Sequence, residues 1–121
     1  MKKFLFLIPI IFLSCTQPIK YPESIKPSAN VTIMNVYQDY YPSLNEYGCV
    51  EVNYKVKNTG SVDIEYCTVY FEVTCKDGTT YTDLDNRCNF LDIGKTYSGY
   101  DMIYTDWKQH DSIKISKVVL Q

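Results

Sequence analysis

The chain has 121 residues, 45% of them hydrophobic, and a formal net charge of −2. That length holds one domain with a short appendage, and the hydrophobic share suffices for a packed core. A mildly acidic chain lacks the basic stripes that nucleic acids require and has no electrostatic reason to lie on anionic lipid, so neither partner is expected on charge grounds.

Met1-Lys2-Lys3 is a short basic start, followed from Phe4 to Leu13 by an apolar run of about ten residues that includes Pro9. Spanning a bilayer takes roughly 20 apolar residues, so this reads as an export leader and not as a transmembrane helix. The run ends in Phe12-Leu13-Ser14-Cys15. This resembles the lipobox of bacterial lipoproteins, in which a small residue precedes a cysteine that receives diacylglycerol and becomes the mature N-terminus. The resemblance implies a signal peptide over residues 1–14, lipidation at Cys15 and a membrane anchor at the bacterial cell envelope, on an outer-membrane, periplasmic or surface face. Two or more acyl chains at ~0.8 kcal/mol per buried CH₂ anchor stably. Loss of the leader takes the net charge to about −4. Residues 15–30 then read T-Q-P-I-K-Y-P-E-S-I-K-P-S-A-N after the cysteine, without periodicity and with three prolines, as a tether of up to ~3.1 Å per residue.

Residues 31–121 carry strand signals throughout. Val31–Val36 is a first short strand, and Asp39-Tyr40-Tyr41-Pro42-Ser43 reads as a loop. From Cys49 to Asn58, Val50, Val52, Tyr54 and Val56 alternate with Glu51, Asn53, Lys55 and Lys57, the period of a strand with one buried face. Asn58-Thr59-Gly60-Ser61 is a turn. The next strand starts in the phase of Val62, Ile64 and Tyr66, then shifts to Cys67, Val69, Phe71, Val73 and Cys75, which places a β-bulge near Tyr66-Cys67. Asp77-Gly78 is a hairpin signal. Thr79–Asp83 forms the return strand, Asp85-Asn86-Arg87 a polar break, and Cys88–Leu91 a further short strand. Tyr100, Met102 and Tyr104 share a face, and Ile113, Ile115, Val118 and Leu120 make a closing strand with a phase slip near Ser116-Lys117. No stretch shows helical periodicity, so helix content should be small.

Leu91-x-x-Gly94-x-x-Tyr97 resembles the tyrosine corner of immunoglobulin-like and fibronectin-like sandwiches, whose Tyr hydroxyl bonds back to the chain across the corner. The strand ending in Val56-Lys57-Asn58, the run Val69–Val73 leading into Lys76-Asp77-Gly78, and Leu91-x-x-Gly94 together make the chain similar to the FxLYD-type domains of bacterial surface lipoproteins. That resemblance implies an all-β fold: an immunoglobulin-like antiparallel β-sandwich of about seven strands without a shared catalytic apparatus.

Beyond Cys15, the domain holds Cys49, Cys67, Cys75 and Cys88. An exported chain meets an oxidising compartment, where four cysteines point to up to two disulfides. Cys67 and Cys75 on one extended strand lie about 26 Å apart, beyond the ~7 Å a bridge tolerates. A neighbour relation between the Cys49 and Cys75 strands favours Cys49–Cys75 with Cys67–Cys88. Cys49–Cys67 with Cys75–Cys88, or one bridge with a free buried Cys67, remain open. Structural zinc needs closer pairs than any here, so no metal site or cofactor is expected.

His110 precedes Asp111, but adjacent residues point apart on a strand or turn, so the pair cannot work as a catalytic dyad and His110 reads as a solvated loop residue. Asp83 and Asp85 could form a glycosidase-like or calcium pair, although acids beside a turn are usually turn chemistry. Trp107 reads as a core plug or loop anchor. No nucleophile elbow or phosphate loop is present, and no enzyme activity is expected. Tyr supplies 12 residues against five Phe and one Trp, more than a small core can hold. Tyr37, Tyr40, Tyr41 and Tyr47 are therefore the candidate contact surface for a protein or glycan ligand, alongside Tyr66 and Tyr70, which also answer to strand propensity. The expected function is binding or structural association at the envelope. The alternatives are an accessory subunit of a larger envelope complex, engaged through an exposed strand edge, or a glycan-binding module.

Overall fold

A computed structural model describes residues 26–121. The leader and Cys15 lie outside the described residues. Two central strands organise the rest: β2 (Glu46–Asn58) and β3 (Ile64–Cys75) each have a hydrogen-bonded neighbour on both sides. β1 (Ala29–Tyr41) and β5 (Thr96–Ile103) flank β2 in one antiparallel sheet, and β4 (Thr80–Leu91) and β6 (His110–Leu120) flank β3 in the other. No helix occurs among the described residues.

The alternation read in the sequence decides which faces meet. Val50, Val52, Tyr54 and Val56 from β2 and Cys67, Val69, Phe71, Val73 and Cys75 from β3 form the buried core. The Tyr54 and Phe71 rings meet edge to face across the two sheets with centroids 5.2 Å apart. Each such side chain contributes roughly 1.5–3 kcal/mol by leaving water, so the two centre strands carry most of the hydrophobic stabilisation. The result is a sandwich of two three-stranded sheets.

Six strands replace the expected seven because Thr80–Leu91 is continuous. The polar run Asp85-Asn86-Arg87 does not break it. Asp85 turns into the core, where its charge is paired, and Phe90 absorbs the irregularity at φ 52°. The register between β3 and β4 shifts between Cys67 and Val69, next to the bulge the phase slip predicted. A second register shift, between the partners of Tyr70 and Phe71, falls at Ser116 on β6 as the sequence indicated. The Asp77-Gly78 turn joins β3 to β4, with Gly78 at φ 88° and its N–H donating to Cys75 O at 2.9 Å. Only glycine adopts that conformation without strain.

Three expectations about connections are corrected. The turn at residues 59–63 does not join paired strands: it carries the chain from the first sheet to the second. β1 runs through Asp39-Tyr40-Tyr41 to the Pro42 turn, so the segment read as a loop is one arm of a long hairpin. At the other end, β1 begins at Ala29, and Ser28 accepts a 3.0 Å hydrogen bond from Thr59 N–H, so the domain starts before Val31. The corner near Gly94 is tied by the buried Asn58, whose Nδ2 donates to Val62 O and Leu91 O at 2.9 and 3.0 Å. Tyr97, assigned that role in the sequence, places its ring 6.3 Å from Tyr54.

Candidate functional site

The outer face of the first sheet changes character along its length. Near its β2 end at Asn58 it presents Lys55 and Lys57, paired with Thr32 and Asn30 on β1 and with Ser98 and Thr96 on β5. Then comes the row Asn35, Asn53, Tyr100, in which Asn53 Nδ2 donates to Asn35 Oδ1 at 2.7 Å. The following row is Tyr37, Glu51, Met102. Here the face opens into a groove of about 330 Å³, walled by Tyr37, Tyr41, Met102 and Trp107, with Asp39, Glu51, Gly48 and Cys49 completing it. A Cβ on Gly48 would stand 3.3 Å from the Tyr41 hydroxyl, so glycine lets that ring lie close over β2.

Of the four tyrosines singled out in the sequence, Tyr37 and Tyr41 line this groove. Tyr40 and Tyr47 instead stack on each other at the hairpin end, with centroids 4.6 Å apart, and the Tyr40 hydroxyl donates to Asn45 Oδ1 at 3.0 Å. The Tyr37 hydroxyl donates to Asp39 Oδ1 at 2.5 Å, and that carboxylate pushes the phenol above its ordinary pKa.

Of the two places the sequence offered Trp107, core plug or loop anchor, the structure excludes the core. Trp107 is 50% exposed, at the tip of the segment joining β5 to β6, with its ring edge-on to Tyr104 at 6.0 Å. Asp106 and Trp107 both have positive φ, 58° and 64°, a conformation that costs a bulky side chain roughly 1–3 kcal/mol. Neighbouring bonds hold it. Tyr47 N–H donates to Trp107 O at 3.2 Å, and Thr105 Oγ1 and Gln38 Nε2 both donate to Lys108 O at 2.8 Å. Gln38 also donates to Gly48 O at 2.9 Å and accepts from His110 N–H at 2.9 Å, so one side chain ties the hairpin to the tryptophan segment. Nothing in the local sequence pattern marks Gln38, whose partners lie up to 72 residues away.

His110 is likewise not a solvated loop residue. It opens β6, half-buried, with Nδ1 2.9 Å from Gln38 Oε1, while Asp111 pairs with Lys76 at 2.7 Å. Among the described residues no cluster of three or more His, Cys, Asp or Glu side chains is placed to hold a metal ion.

Asp83 and Asp85 do not converge on a shared site. Asp85 is 3% exposed and accepts from Tyr54 Oη at 2.5 Å and from Arg87 Nε at 2.8 Å. Burial pushes its carboxyl up, yet the Arg87 and Tyr54 bonds outweigh that and leave it below its ordinary value. Arg87 reaches on to Tyr100 O and lies over the Tyr100 ring at 4.7 Å. Asp83 is exposed and faces Asp101 of β5 across the seam between the sheets. Asp101 Oδ2 is buried without any N–H or O–H donor among the described residues. Desolvation first, then the Asp83 carboxyl, raise Asp101 from 3.8 to about 7.

No disulfide joins the four domain cysteines in this structure, and the expected partners Cys49 and Cys75 are not placed to form one. Cys67 and Cys88 are direct register partners on β3 and β4, and burial pushes the Cys67 thiol up to about 12. Cys49 lines the outer groove, whereas Cys75 is buried in the core on the other sheet. The proposed proximity of that second pair assumed that β2 and β3 are neighbours in one sheet, and they are not.

Compared with known proteins, the chain matches no family model, no curated protein and no solved structure.

The Asp101 carboxyl fixes the sign of one pH effect. The folded chain retains a proton that the unfolded chain releases between pH 3.8 and about 7, so this stabilisation is complete at the acid end and is lost as pH rises through about 7. Asp85, held low, acts in the opposite sense and only in the acid range, where its contribution is lost as pH falls. The melting temperature is expected to fall between about pH 5 and pH 8, and Asp101→Asn is expected to flatten that fall. An equal fall in wild type and variant would contradict the proton retained on Asp101.

Proposed function

We propose that this chain is an exported, lipid-anchored protein of the bacterial cell envelope, tethered through Cys15, whose immunoglobulin-like domain works by binding and not by catalysis. The observation that carries the binding half is the groove: three exposed aromatic rings, Tyr37, Tyr41 and Trp107, stand together on a sheet face. Exposed aromatic residues grouped around a concavity, one of them held in a costly backbone conformation, are what a recognition surface requires. The basic start, the apolar run and Ser14-Cys15 support the anchor. The order β1-β2-β5 against β4-β3-β6, with the chain crossing between sheets after β2, β4 and β5, supports an immunoglobulin-like sandwich one strand short of seven. In an oxidising envelope the Cys67–Cys88 pair is the one placed to bridge, since cross-strand partners fall in the Cα range a disulfide accepts.

The accessory-subunit reading is favoured by one feature. β1 and β6 each pair on one side only, and their inward residues Val31, Ile33, Val36, Ile113, Ile115 and Val118 are half-buried. Such an edge accepts an added strand, although bulges on both strands oppose it.

Chain purified from membranes is expected to have the mass of residues 15–121 plus acyl chains, and to gain about 2 Da on reduction as one bridge opens. A lipid-free mass contradicts the anchor. In parallel, envelope membranes from cells lacking the protein are expected to retain the unacylated chain of residues 16–121, which can hold to them only through what its domain binds. The Tyr37→Ala/Trp107→Ala variant should be retained at least about tenfold less, with its melting temperature unchanged. Equal retention of both contradicts the groove as the binding surface.

A further inference from the structure

We propose that the groove takes a cationic side chain, an arginine or lysine presented by an extended segment of a protein partner. This rests on the groove being the binding surface and adds the chemistry of what enters it.

The argument is one of charge and shape together. Asp39 and Glu51 both line the groove, and among the described residues neither has a cationic partner. The Asp39 carboxylate receives only the Tyr37 hydroxyl. The cations nearest by register are committed or remote. Arg87 is bound to Asp85 and the Tyr100 carbonyl, and Lys108 is paired with Asp77 at 3.1 Å. Lys55 stands four residues along β2 from Glu51, about 13 Å away at the rise of a strand. Among the described residues, two negative charges therefore sit uncompensated beside Tyr37, Tyr41 and Trp107. Aromatic faces attract cations within about 6 Å, most strongly for tryptophan, and nearby carboxylates add to that attraction. A guanidinium satisfies both at once, lying flat on a ring while its N–H groups reach a carboxylate.

The open form of the groove selects the source of that cation. About 330 Å³ is at the small end for a ligand pocket, and it lies open on the face of a sheet. It covers one side-chain tip and leaves the remainder of a partner to rest on the neighbouring Asn35, Asn53 and Tyr100 row. A neutral sugar could stack on the same rings but would leave the negative charge uncompensated.

The test is Trp107 fluorescence, the chain's only tryptophan, titrated in the mature protein. The probes are a capped pentapeptide containing two arginines, its citrulline counterpart, and a neutral oligosaccharide. The arginine peptide is expected to shift the emission and to bind at least about tenfold more tightly than the citrulline peptide. Asp39→Asn/Glu51→Gln is expected to remove that preference while keeping the melting temperature of the parent, and added salt should weaken binding. Equal affinity for the two peptides, or a preference that survives in the variant, would overturn the inference. Binding of the oligosaccharide alone, unaffected by the two substitutions, would also overturn it while leaving the groove as the binding surface. No response to any probe, together with loss of envelope retention in the Tyr37→Ala/Trp107→Ala variant, would likewise reject a cationic ligand and keep the site.

Discussion

A carboxylate taken out of water must be paired, and the way Asp85 is paired determines how the two sheets meet. Its partners come from different places: Tyr54 is on the central strand of the first sheet, and Arg87 is two residues along β4 in the second. The Tyr54 hydroxyl, shifted upward by burial and by the Asp85 charge, stays protonated and donates. Arg87 then carries the contact outward to the Tyr100 carbonyl on β5. A hydrophobic core holds two sheets face to face without fixing their lateral offset, whereas these directional bonds define it. Leaving the buried Asp85 carboxylate without a partner is costly; the half-exposed Arg87 contributes less to that cost than the buried Tyr54 hydroxyl.

The contrast between the two seams follows. Between β4 and β5 the sheets are joined by Tyr54, Asp85 and Arg87 and by the facing Asp83 and Asp101. Between β1 and β6 the inward aliphatic residues are only half-buried, and the link is concentrated at one end, where Gln38 reaches Lys108 and His110. The groove draws on both. Met102 belongs to the strand that Arg87 holds, and Trp107 to the segment that Gln38 holds. Its Trp107 wall is thus set by the part-buried bonds of Gln38, and its Met102 wall by an Arg87 bond that leads back to the buried Asp85.

Much of the fold was legible because alternation is a local signal. The buried residues of β2 and β3, the phase slips near Cys67 and Ser116, and the Asp77-Gly78 hairpin all follow from residues within a few positions of one another. What could not be read depends on distant partners. Asp85-Asn86-Arg87 looks like a loop until Tyr54 is known to face it, 31 residues away. Asp39-Tyr40-Tyr41 looks like a loop because its alternation is masked by aromatic residues on both faces. The tyrosine surface was half visible, since Tyr excess in a small chain points outward, but which two line the groove depends on register. Glu51 was visible as a wet-face residue, and its alignment with Tyr37 and Met102 was not. Trp107 was left open between core and loop because a lone tryptophan often fills a core, and no local pattern announces a left-handed backbone.

The central claim is that the Asp85 link positions β5, the strand that carries the Met102 wall of the groove. Amide hydrogen exchange on Asp85→Asn against the parent tests it most directly. Exchange is expected to accelerate along Thr96–Ile103, with Ile64–Cys75 and His110–Leu120 retaining their protection. Unchanged protection in β5, or an even loss through both sheets, would contradict it.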